Sequence, residues 1–296
     1  MRVLLSNNPD SLRAALSEYK NFAVVEAEFG GAEVMGSSDS ITLNHHVRPE
    51  RQCPCLFRTA DFPAEVRGNV EAVGISHFDL DTLGGLMALR GTKPEGHQDF
   101  WRLAAFVDLN GPHAVENQAM DAYRQLAAVW AWSQKNRLFA ERDGSVTDVT
   151  DFVAKAEQAM LRILNMDADL MREGATLTHE EALLNASSFR TAFNMFFDTA
   201  RPVLAVVRVS DKFTNHLYRH EGLVADLVVA LNTTSGAITV SRRDGTVAVD
   251  CRQLVQTFWG ELAGGHAGIA GSPRGQVLTQ SDLETFVDWL TLTKDR

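Results

Sequence analysis

Imidazole and carboxylate side chains are concentrated in three short segments, each of which is predicted to follow a β-strand. The segments are Leu-Asn-His-His-Val-Arg-Pro at 43–49, Ser-His-Phe-Asp-Leu-Asp-Thr-Leu-Gly-Gly at 76–85 and Phe-Val-Asp-Leu-Asn-Gly-Pro-His at 106–113. In open α/β sheets, ligands bind beyond the carboxyl ends of the strands. The three segments are therefore expected to converge on one polar site.

The segment at 76–85 gives the most specific signal for metal binding. His77, Asp79 and Asp81 are two residues apart, so an extended backbone would project all three side chains to the same side. Neighbouring carboxylates are costly without a cation, and mixed oxygen and imidazole ligands suit manganese or zinc. The alternative is structural: a hydrogen-bonded histidine with two helix-capping aspartates, of which Asp81 would cap a helix that begins at Thr82.

The other two segments add weaker candidates. Adjacent histidines in a strand face opposite sides, so His45 and His46 can share an ion only from a turn; the alternative is a solvated surface loop. Arg48 is a candidate phosphate contact because a guanidinium matches phosphate oxygens, or else an ordinary surface arginine. Asp108 ends the apolar run 103–107, where it is either a metal ligand or part of a turn.

A second polar region lies nearer the C-terminus. Arg242 and Arg243 end a predicted strand, and Gly264, Gly265 and His266 open a glycine-rich loop. Successive glycine amides can form an anion-binding nest, to which the arginines would add positive charge; the alternative is an ordinary loop. The chain carries no Walker loop, dinucleotide fingerprint or nucleophile-elbow serine, so the sequence gives no support to those chemistries.

The periodicity of apolar residues predicts which elements position these segments. In the N-terminal part, the predicted strands are 2–5, 21–29, 41–43, 71–76 and 103–107, and the predicted helices are 9–19 and 82–89. The next part is predicted to be helical at 114–141, 151–171 and 179–200. After Pro202, the predicted strands are 203–209, 223–231 and 237–241, followed by helices at 251–258 and from a capping box of Ser281 and Glu284.

Alternating strands and helices predict an α/β fold. We expect an N-terminal layered, mostly parallel sheet with helices in residues 1–172. A helical connector would occupy 173–200, and a smaller α+β domain would occupy 201–296.

Composition and charge limit the classes of partner. Of 296 residues, 45% are hydrophobic and 22% are charged, which excludes a disordered or fibrous protein. With 28 Lys and Arg against 38 Asp and Glu, the formal net charge of −10 disfavours non-specific coating of nucleic acid. The apolar runs are too short to span a membrane, no signal peptide is recognised and three cysteines predict no disulfide framework. We expect a cytoplasmic protein without a membrane partner.

Together, these motifs resemble those of the DHH phosphoesterase superfamily with its accessory DHHA1 domain. The segment His-Phe-Asp-Leu-Asp at 77–81 is similar to the superfamily's His-x-Asp-x-Asp motif, and Asn-His-His at 44–46 is similar to its Asp-His-His triplet. Asp108 resembles one of its isolated aspartate ligands. The stretch 241–271 is similar to the DHHA1 domain in the order and spacing of its motifs.

The resemblance implies a two-domain hydrolase with a dinuclear manganese centre in the first domain and a phosphate clamp in the second. The chain departs from the superfamily in the order of its motifs, because the triplet precedes the His-x-Asp-x-Asp segment. Asn44 stands where the superfamily has aspartate, and Thr82 stands where it has glycine. Since an amide is a poorer ligand than a carboxylate, one of the two ions would bind weakly or be absent.

We therefore predict a metal-dependent phosphoesterase that hydrolyses a small phosphate ester or a short nucleic-acid end at a site between two domains. Its cofactor would be one or two Mn²⁺ ions, with Mg²⁺ or Zn²⁺ as alternatives. A non-catalytic nucleotide- or phosphometabolite-binding protein is the alternative function, an oligomeric scaffold is a third, and a homodimer is left open. The predicted metal ligands are His46, His77, Asp79, Asp81 and Asp108; the predicted catalytic residues are His45, His46 and Asp81; and the predicted substrate contacts are Arg48, Arg242, Arg243, Gly264, Gly265 and His266.

Overall fold

The fold was obtained as a computed structural model that describes residues 1–29, 32–45, 50–115, 120–141, 143–195, 202–265, 267–273 and 276–292. The chain divides into two compact units, one formed by Met1–Leu109 and Asn117–Leu177 and the other by Asn110–Glu116 and Thr178–Arg296. Each unit combines helices with a sheet that contains parallel strand pairs, so the predicted α/β class is confirmed. Among the described residues, no helix is both long enough and apolar enough to cross a membrane.

The first unit holds a sheet surrounded by helices. Short 3₁₀ turns lie at Asp39–Ile41, Pro54–Leu56, Thr59–Asp61 and Pro112–Ala114. In chain order, the helices and strands are β1 (Arg2–Leu5), α1 (Pro9–Leu16), β2 (Phe22–Val25), β3 (Glu28–Phe29), β4 (Ala32–Glu33), β5 (Thr42–Leu43), α2 (Ala64–Asn69), β6 (Ala72–Ile75), α3 (Leu80–Arg90), α4 (Gln98–Asn110), α5 (Asp121–Lys135), β7 (Thr147–Asp148), α6 (Thr150–Leu164) and α7 (Ala168–Ser188).

The strand order of this sheet determines where the polar segments lie. The order is β5-β2-β6-β1-β7, in which the first four strands are parallel and β7 is antiparallel to β1. Val25, Val73 and Ile75 are fully buried, as expected for parallel strands whose two faces are covered. Because β2, β5 and β6 run in the same direction, the residues that follow them lie at one edge of the sheet.

The second unit is built around a longer, mostly antiparallel sheet. In chain order, its elements are β8 (Phe189–Met195), β9 (Val203–Ser210), β10 (Arg219–His220), β11 (Leu223–Val224), β12 (Leu227–Asn232), β13 (Ala237–Arg242), α8 (Cys251–Trp259), β14 (Gly264–Gly265), β15 (Ile269–Gly271) and α9 (Gln280–Leu292). The order of its strands is β14-β15-β13-β12-β9-β8, and within it β9 and β12 form a parallel pair. Its apolar core includes Val255 of α8 and Phe286 of α9, both fully buried.

Two predicted elements have the wrong secondary structure. The apolar run 103–107 is part of helix α4, whose buried residues Phe100, Trp101, Ala104 and Ala105 recur at helical spacing. Asp108 therefore lies near the end of a helix and does not follow a strand. The predicted helix 179–200 ends at Ser188, because residues 189–195 form β8 and pair with the buried strand β9.

Two further helix boundaries differ from prediction. The single helix expected at 114–141 is replaced by a 3₁₀ turn that ends at Ala114 and by α5, which begins at Asp121. The last helix begins one residue before Ser281, and its start is capped by Thr279 and Asp282. The Asp282 carboxylate accepts a hydrogen bond from the Thr279 backbone N–H at 2.8 Å, which replaces the expected Ser281–Glu284 box.

Candidate metal centre

His45 is the centre of a buried cluster of carboxylates at the carboxyl edge of the first sheet. It follows β5, and only 3% of its surface is exposed. Its Nδ1 lies 2.9 Å from Glu26 Oε1 and 3.5 Å from Asp81 Oδ2. Its Nε2 lies 3.2 Å from Asp108 Oδ2. One imidazole therefore contacts carboxylates from three different parts of the chain.

Glu26 reaches the cluster through an unusual backbone conformation. It directly follows β2 and has a left-handed φ of 51°. Its N–H donates to the Leu43 carbonyl at 3.1 Å, and its own carbonyl accepts from the Ser76 N–H at 3.3 Å. A non-glycine residue is strained in this region and keeps the conformation where the surroundings enforce it. These bonds join the ends of three neighbouring strands at the residue whose carboxylate contacts His45.

Asp81 is held in place by a peptide group that packs closely on α3. Its Oδ1 accepts a hydrogen bond from the Cys55 N–H at 2.7 Å. The Lys93 ammonium donates to the carbonyl of the same Cys55. A Cβ atom added at Gly84 would lie 2.6 Å from Cys55 Cβ and 2.7 Å from its Cα. Glycine at position 84 therefore lets the backbone of Cys55 approach α3 closely enough for the Cys55 N–H to bind Asp81.

Two overlapping sets of potential ligand atoms share His45. In the first set, atoms of His45, Cys53, Asp81 and Asp108 all lie within 4.8 Å of one another. In the second set, the same distance encloses atoms of Glu26, Glu28 and His45. Oxygen, nitrogen and sulfur donors at these separations can contact a common ion, because metal–ligand bonds are about 2.0–2.6 Å long.

Burial and neighbouring groups strongly shift the pKa values of His45 and Asp81. Burial by itself lowers the pKa of His45, but its hydrogen bonds to Asp108, Cys53 and Glu26 outweigh burial and raise that pKa to about 12. Burial raises the pKa of Asp81 to about 7, against the opposing effect of its bond from Cys55. Asp81 Oδ2 is buried and accepts no hydrogen bond from the described residues. The cluster therefore contains more negative charge than its single imidazolium neutralises.

His77 and Asp79 form a separate, more exposed pair. His77 Nε2 lies 3.1 Å from Asp79 Oδ2, and their side chains are 45% and 40% exposed. The Asp79 carboxylate also accepts from the Thr82 N–H at 2.8 Å, so it caps α3. Strand β6 ends at Ile75, and the extended backbone that would project His77, Asp79 and Asp81 together does not continue. Of the two ligand sets found among the described residues, one contains Asp81, and neither contains His77 or Asp79.

Asn44 has a structural role beside the cluster. Its Oδ1 accepts from the Ala27 N–H at 2.9 Å, and its Nδ2 donates to the Val34 carbonyl at 3.0 Å and to Glu33 at 3.2 Å. An aspartate here would place negative charge against two oxygen acceptors. The amide of Asn44 is therefore explained by the hydrogen bonds that hold the chain after β2.

The predicted substrate contacts of the second unit already have partners within that unit. Arg242 Nη1 donates to the Val249 carbonyl at 3.1 Å. Arg243 lies 3.2 Å from Asp226 and 2.8 Å from Asp244. Gly264 and Gly265 form β14, and Gly265 has a φ of 148°. The remaining predicted residues, which lie outside the described part of the chain, are His46, Arg48 and His266.

Glu26, Glu28 and Cys53 belong to the cluster but were not among the predicted site residues. Glu26 carried a usable signal, since it is an acidic residue directly after the apolar run 22–25. The strand-end argument did not select it, because residues 21–29 were predicted to form one strand, whereas β2 ends at Val25. Cys53 lacked such a signal, because the turn that brings it to the cluster is visible only in the fold.

The donor set fits a divalent cation. Carboxylate oxygens and imidazole nitrogen suit Mn²⁺, Mg²⁺ or Zn²⁺, and a dication would neutralise the excess negative charge. Comparison with protein-family models, with curated proteins and with solved structures finds no match for this chain. Its function is therefore argued from the chemistry of the cluster.

Proposed function

We propose that the protein is a metal-dependent phosphoesterase whose active centre is the cluster around His45. The observation that carries the proposal is the convergence of Glu26, Asp81 and Asp108 on one buried imidazole at the carboxyl edge of parallel strands. Glu26 and Asp81 are buried, and the Asp108 side chain is 20% exposed. Buried carboxylates are retained where they are paired or coordinate a metal. The strand ends of an open α/β sheet are also the usual place for a ligand site.

The proposal includes the resemblance to the DHH superfamily. In this assignment the first unit corresponds to the metal-binding domain and the second to the DHHA1-like domain. His45, Asp81 and Asp108 would hold the ion together with Glu26, and Mn²⁺ is the first candidate. When bound, such an ion stabilises the negative charge of a phosphoryl group and lowers the pKa of a water molecule.

The chain's own residues would orient the reacting groups. Glu26 fixes the ring of His45 from its Nδ1 side at 2.9 Å, and the Cys55 N–H fixes Asp81. The exposed His77 is suited to hold a proton at Nε2 for a leaving oxygen. Its hydrogen bond to Asp79 raises the pKa of His77, which favours the protonated form that a general acid requires.

We propose a small phosphate ester or a short nucleic-acid end as the substrate. A net charge of −10 opposes the binding of a long polyanion. In the second unit, backbone amides of the glycine-rich stretch that begins with β14 (Gly264–Gly265) would bind phosphate. Arg243 would contribute only if phosphate displaced Asp226 or Asp244 from it.

Metal uptake by matched variants tests the proposal. Asp108→Asn removes a carboxylate of the cluster, whereas Asp99→Asn alters an exposed carboxylate on the same helix, paired only at the surface with Arg102. We expect the wild type and Asp99→Asn to bind Mn²⁺ and to hydrolyse an aryl phosphate diester. Asp108→Asn should lose at least about tenfold in Mn²⁺ affinity, because a direct ligand is removed.

Two results would contradict the proposal. If the wild type binds none of Mn²⁺, Mg²⁺ and Zn²⁺ by mass spectrometry of the eluted metal, the cluster is not a metal centre. If the ion binds but no phosphate monoester, diester or short oligonucleotide is turned over, the enzyme assignment fails and the non-catalytic binding protein takes its place.

A further inference from the structure

The two cysteines of the segment Cys53-Pro54-Cys55 are both buried, and they have different partners. Cys53 has an extended conformation, with φ −52° and ψ 131°, as expected for a residue before proline. A 3₁₀ turn then begins at Pro54. Cys55 Sγ donates to the Trp101 carbonyl at 3.7 Å, and the Cys55 side chain is also hydrogen-bonded to the Asp81 carboxylate. Cys53 Sγ instead lies among the ligand atoms around His45.

We propose that Cys53 binds the metal ion as a thiolate together with His45, Asp81 and Asp108, an inference that rests on the metal centre proposed above. All four donor atoms lie within 4.8 Å of one another, and Cys53 is buried with 4% of its surface exposed. One sulfur, one nitrogen and two carboxylate donors form the four-ligand set that zinc accepts. A hydrogen bond between Cys53 and His45 already places the thiol beside the imidazole.

The thiol determines which ions this set prefers. Thiolates select Zn²⁺ and other thiophilic ions, whereas Mg²⁺ prefers oxygen ligands and keeps several waters. On binding, the S–H bond breaks, the proton leaves to solvent and the sulfur lone pair coordinates the ion. We therefore assign a thiophilic dication to this set, so Zn²⁺, the alternative ion named above, replaces Mn²⁺ as its first candidate. The set of Glu26, Glu28 and His45, which contains no sulfur, would suit a harder ion.

The position of Cys53 depends on the packing that also holds Asp81. The Cys53 carbonyl accepts from the Leu56 N–H at 2.9 Å, which closes the turn. A Cβ at Gly85 would lie 2.9 Å from Pro54 Cβ, so the turn sits directly on α3. The sulfur and the Asp81 carboxylate are therefore presented by two segments in fixed contact.

Cobalt absorption tests the ligand directly and needs no enzyme activity. Titration of the metal-free full-length protein with Co²⁺ should produce a thiolate-to-cobalt charge-transfer band in the near ultraviolet. Zn²⁺ should abolish this band at stoichiometric concentration, and millimolar Mg²⁺ should leave it unchanged. Cys53→Ser should lose the band and bind Co²⁺ at least about tenfold more weakly, because a soft donor is replaced by a hydroxyl. Cys251→Ser, which alters a buried cysteine of the second unit, is the matched control and should keep the band.

The possible failures are distinguishable. Stoichiometric Co²⁺ binding without the band overturns the Cys53 assignment and leaves the metal centre in place. No binding of Co²⁺, Zn²⁺ or Mn²⁺ to the wild type overturns both proposals. If Cys53→Ser does not fold, X-ray absorption of the zinc-loaded wild type decides. A zinc–sulfur distance of about 2.3 Å supports the proposal, and a shell of oxygen and nitrogen alone overturns it.

Discussion

Two buried histidines of this protein lie in opposite electrostatic surroundings. His45 in the first unit is 3% exposed, and His113 in the second unit is 8% exposed. The bonds of His45 to Asp108, Cys53 and Glu26 overcome the effect of burial and raise its pKa to about 12. Burial lowers the pKa of His113, and the positive charges of Arg243 and Arg219 lower it further.

Comparing His45 with His113 separates the effect of burial on the imidazole pKa from the effect of neighbouring charges. Burial alone disfavours the imidazolium at both positions, so the difference comes from the side chains around each ring. The surroundings of His45 have an excess of negative charge and can accept a cation. Around His113 the positive charges are already bound, since Arg243 contacts Asp226 and Asp244. A basic segment in a sequence therefore identifies an anion site only if the fold leaves its charges accessible.

Replacing each histidine by glutamine should produce the largest difference between the two regions. His45→Gln leaves Glu26, Asp81 and Asp108 without a compensating positive charge. We expect it to lower the unfolding free energy of the metal-free protein by about 3–5 kcal/mol, the cost of breaking a buried charge pair. Urea denaturation at neutral pH measures this loss. His113→Gln is the control and should change stability little there; equal losses at both positions would refute the electrostatic difference.

Gly84→Ala should have the next largest effect, because it alters the packing that supports the cluster around His45. Its Cβ would lie 2.6 Å from Cys55 Cβ. We expect a loss of about 3 kcal/mol, the upper end for overpacking, since backbone atoms must move. The shift of Cys55 should also weaken Mn²⁺ binding. Gly68→Ala is the control: its Cβ would meet no described atom within 4 Å, and alanine in helix α2 should be neutral or stabilising. Matching losses in the two variants would contradict this packing argument.

Much of the cluster around His45 could be predicted from the sequence, because its residues were sought in segments that follow predicted strands. His45, Asp81 and Asp108 were all selected as candidates, and the structure brings their side chains together. The reasoning was still incomplete for Asp108. An apolar run of five residues fits a buried strand or one face of a helix, and periodicity over so short a run does not separate them.

The rest of the site depends on contacts between distant segments. Cys53 reaches His45 because Pro54 turns the chain and Gly84 allows close packing. Neither relation follows from local pattern. In the second unit, Arg242 and Arg243 were predicted to contact phosphate. In the fold their partners are Asp226, Asp244 and backbone carbonyls. Pairing of this kind is a tertiary property, so residue type alone cannot predict it.

Asparagine at position 81 should make the metal-free protein more stable and bind metal less well. Burial raises the pKa of Asp81 from 3.8 to about 7, so the folded state binds more protons than the unfolded state between these values. The contribution of Asp81 to the stability of the wild type should therefore fall as pH rises from about 4 to about 7. Asp81→Asn removes this penalty and should gain roughly 1–2 kcal/mol at about pH 8, with no gain at about pH 4.

Thermal unfolding of the metal-free proteins across this pH range checks the gain, and Mn²⁺ titration checks the expected loss of affinity. Asp99→Asn, an exposed position, should show neither effect. A pH-independent difference between Asp81→Asn and the wild type would mean that the carboxylate is already neutralised within the fold.

The smallest expected effect concerns His113 at acidic pH. Because its folded-state pKa is lowered, the unfolded chain binds a proton there first as pH falls through about 6.5. The contribution of His113 to the stability of the wild type should therefore fall over that interval and fall no further below the folded-state pKa. His113→Gln cannot take up the proton, so its unfolding free energy should decline less between about pH 7 and pH 5, by under about 1 kcal/mol. Urea denaturation of the two proteins at matched pH values measures the difference.

Removing the positive neighbour of His113 with Arg243→Gln should reduce the wild-type decline, because less repulsion then opposes protonation of the folded state. If the decline instead persists undiminished in His113→Gln, another group causes it, and the two histidines do not differ as the charges around them require.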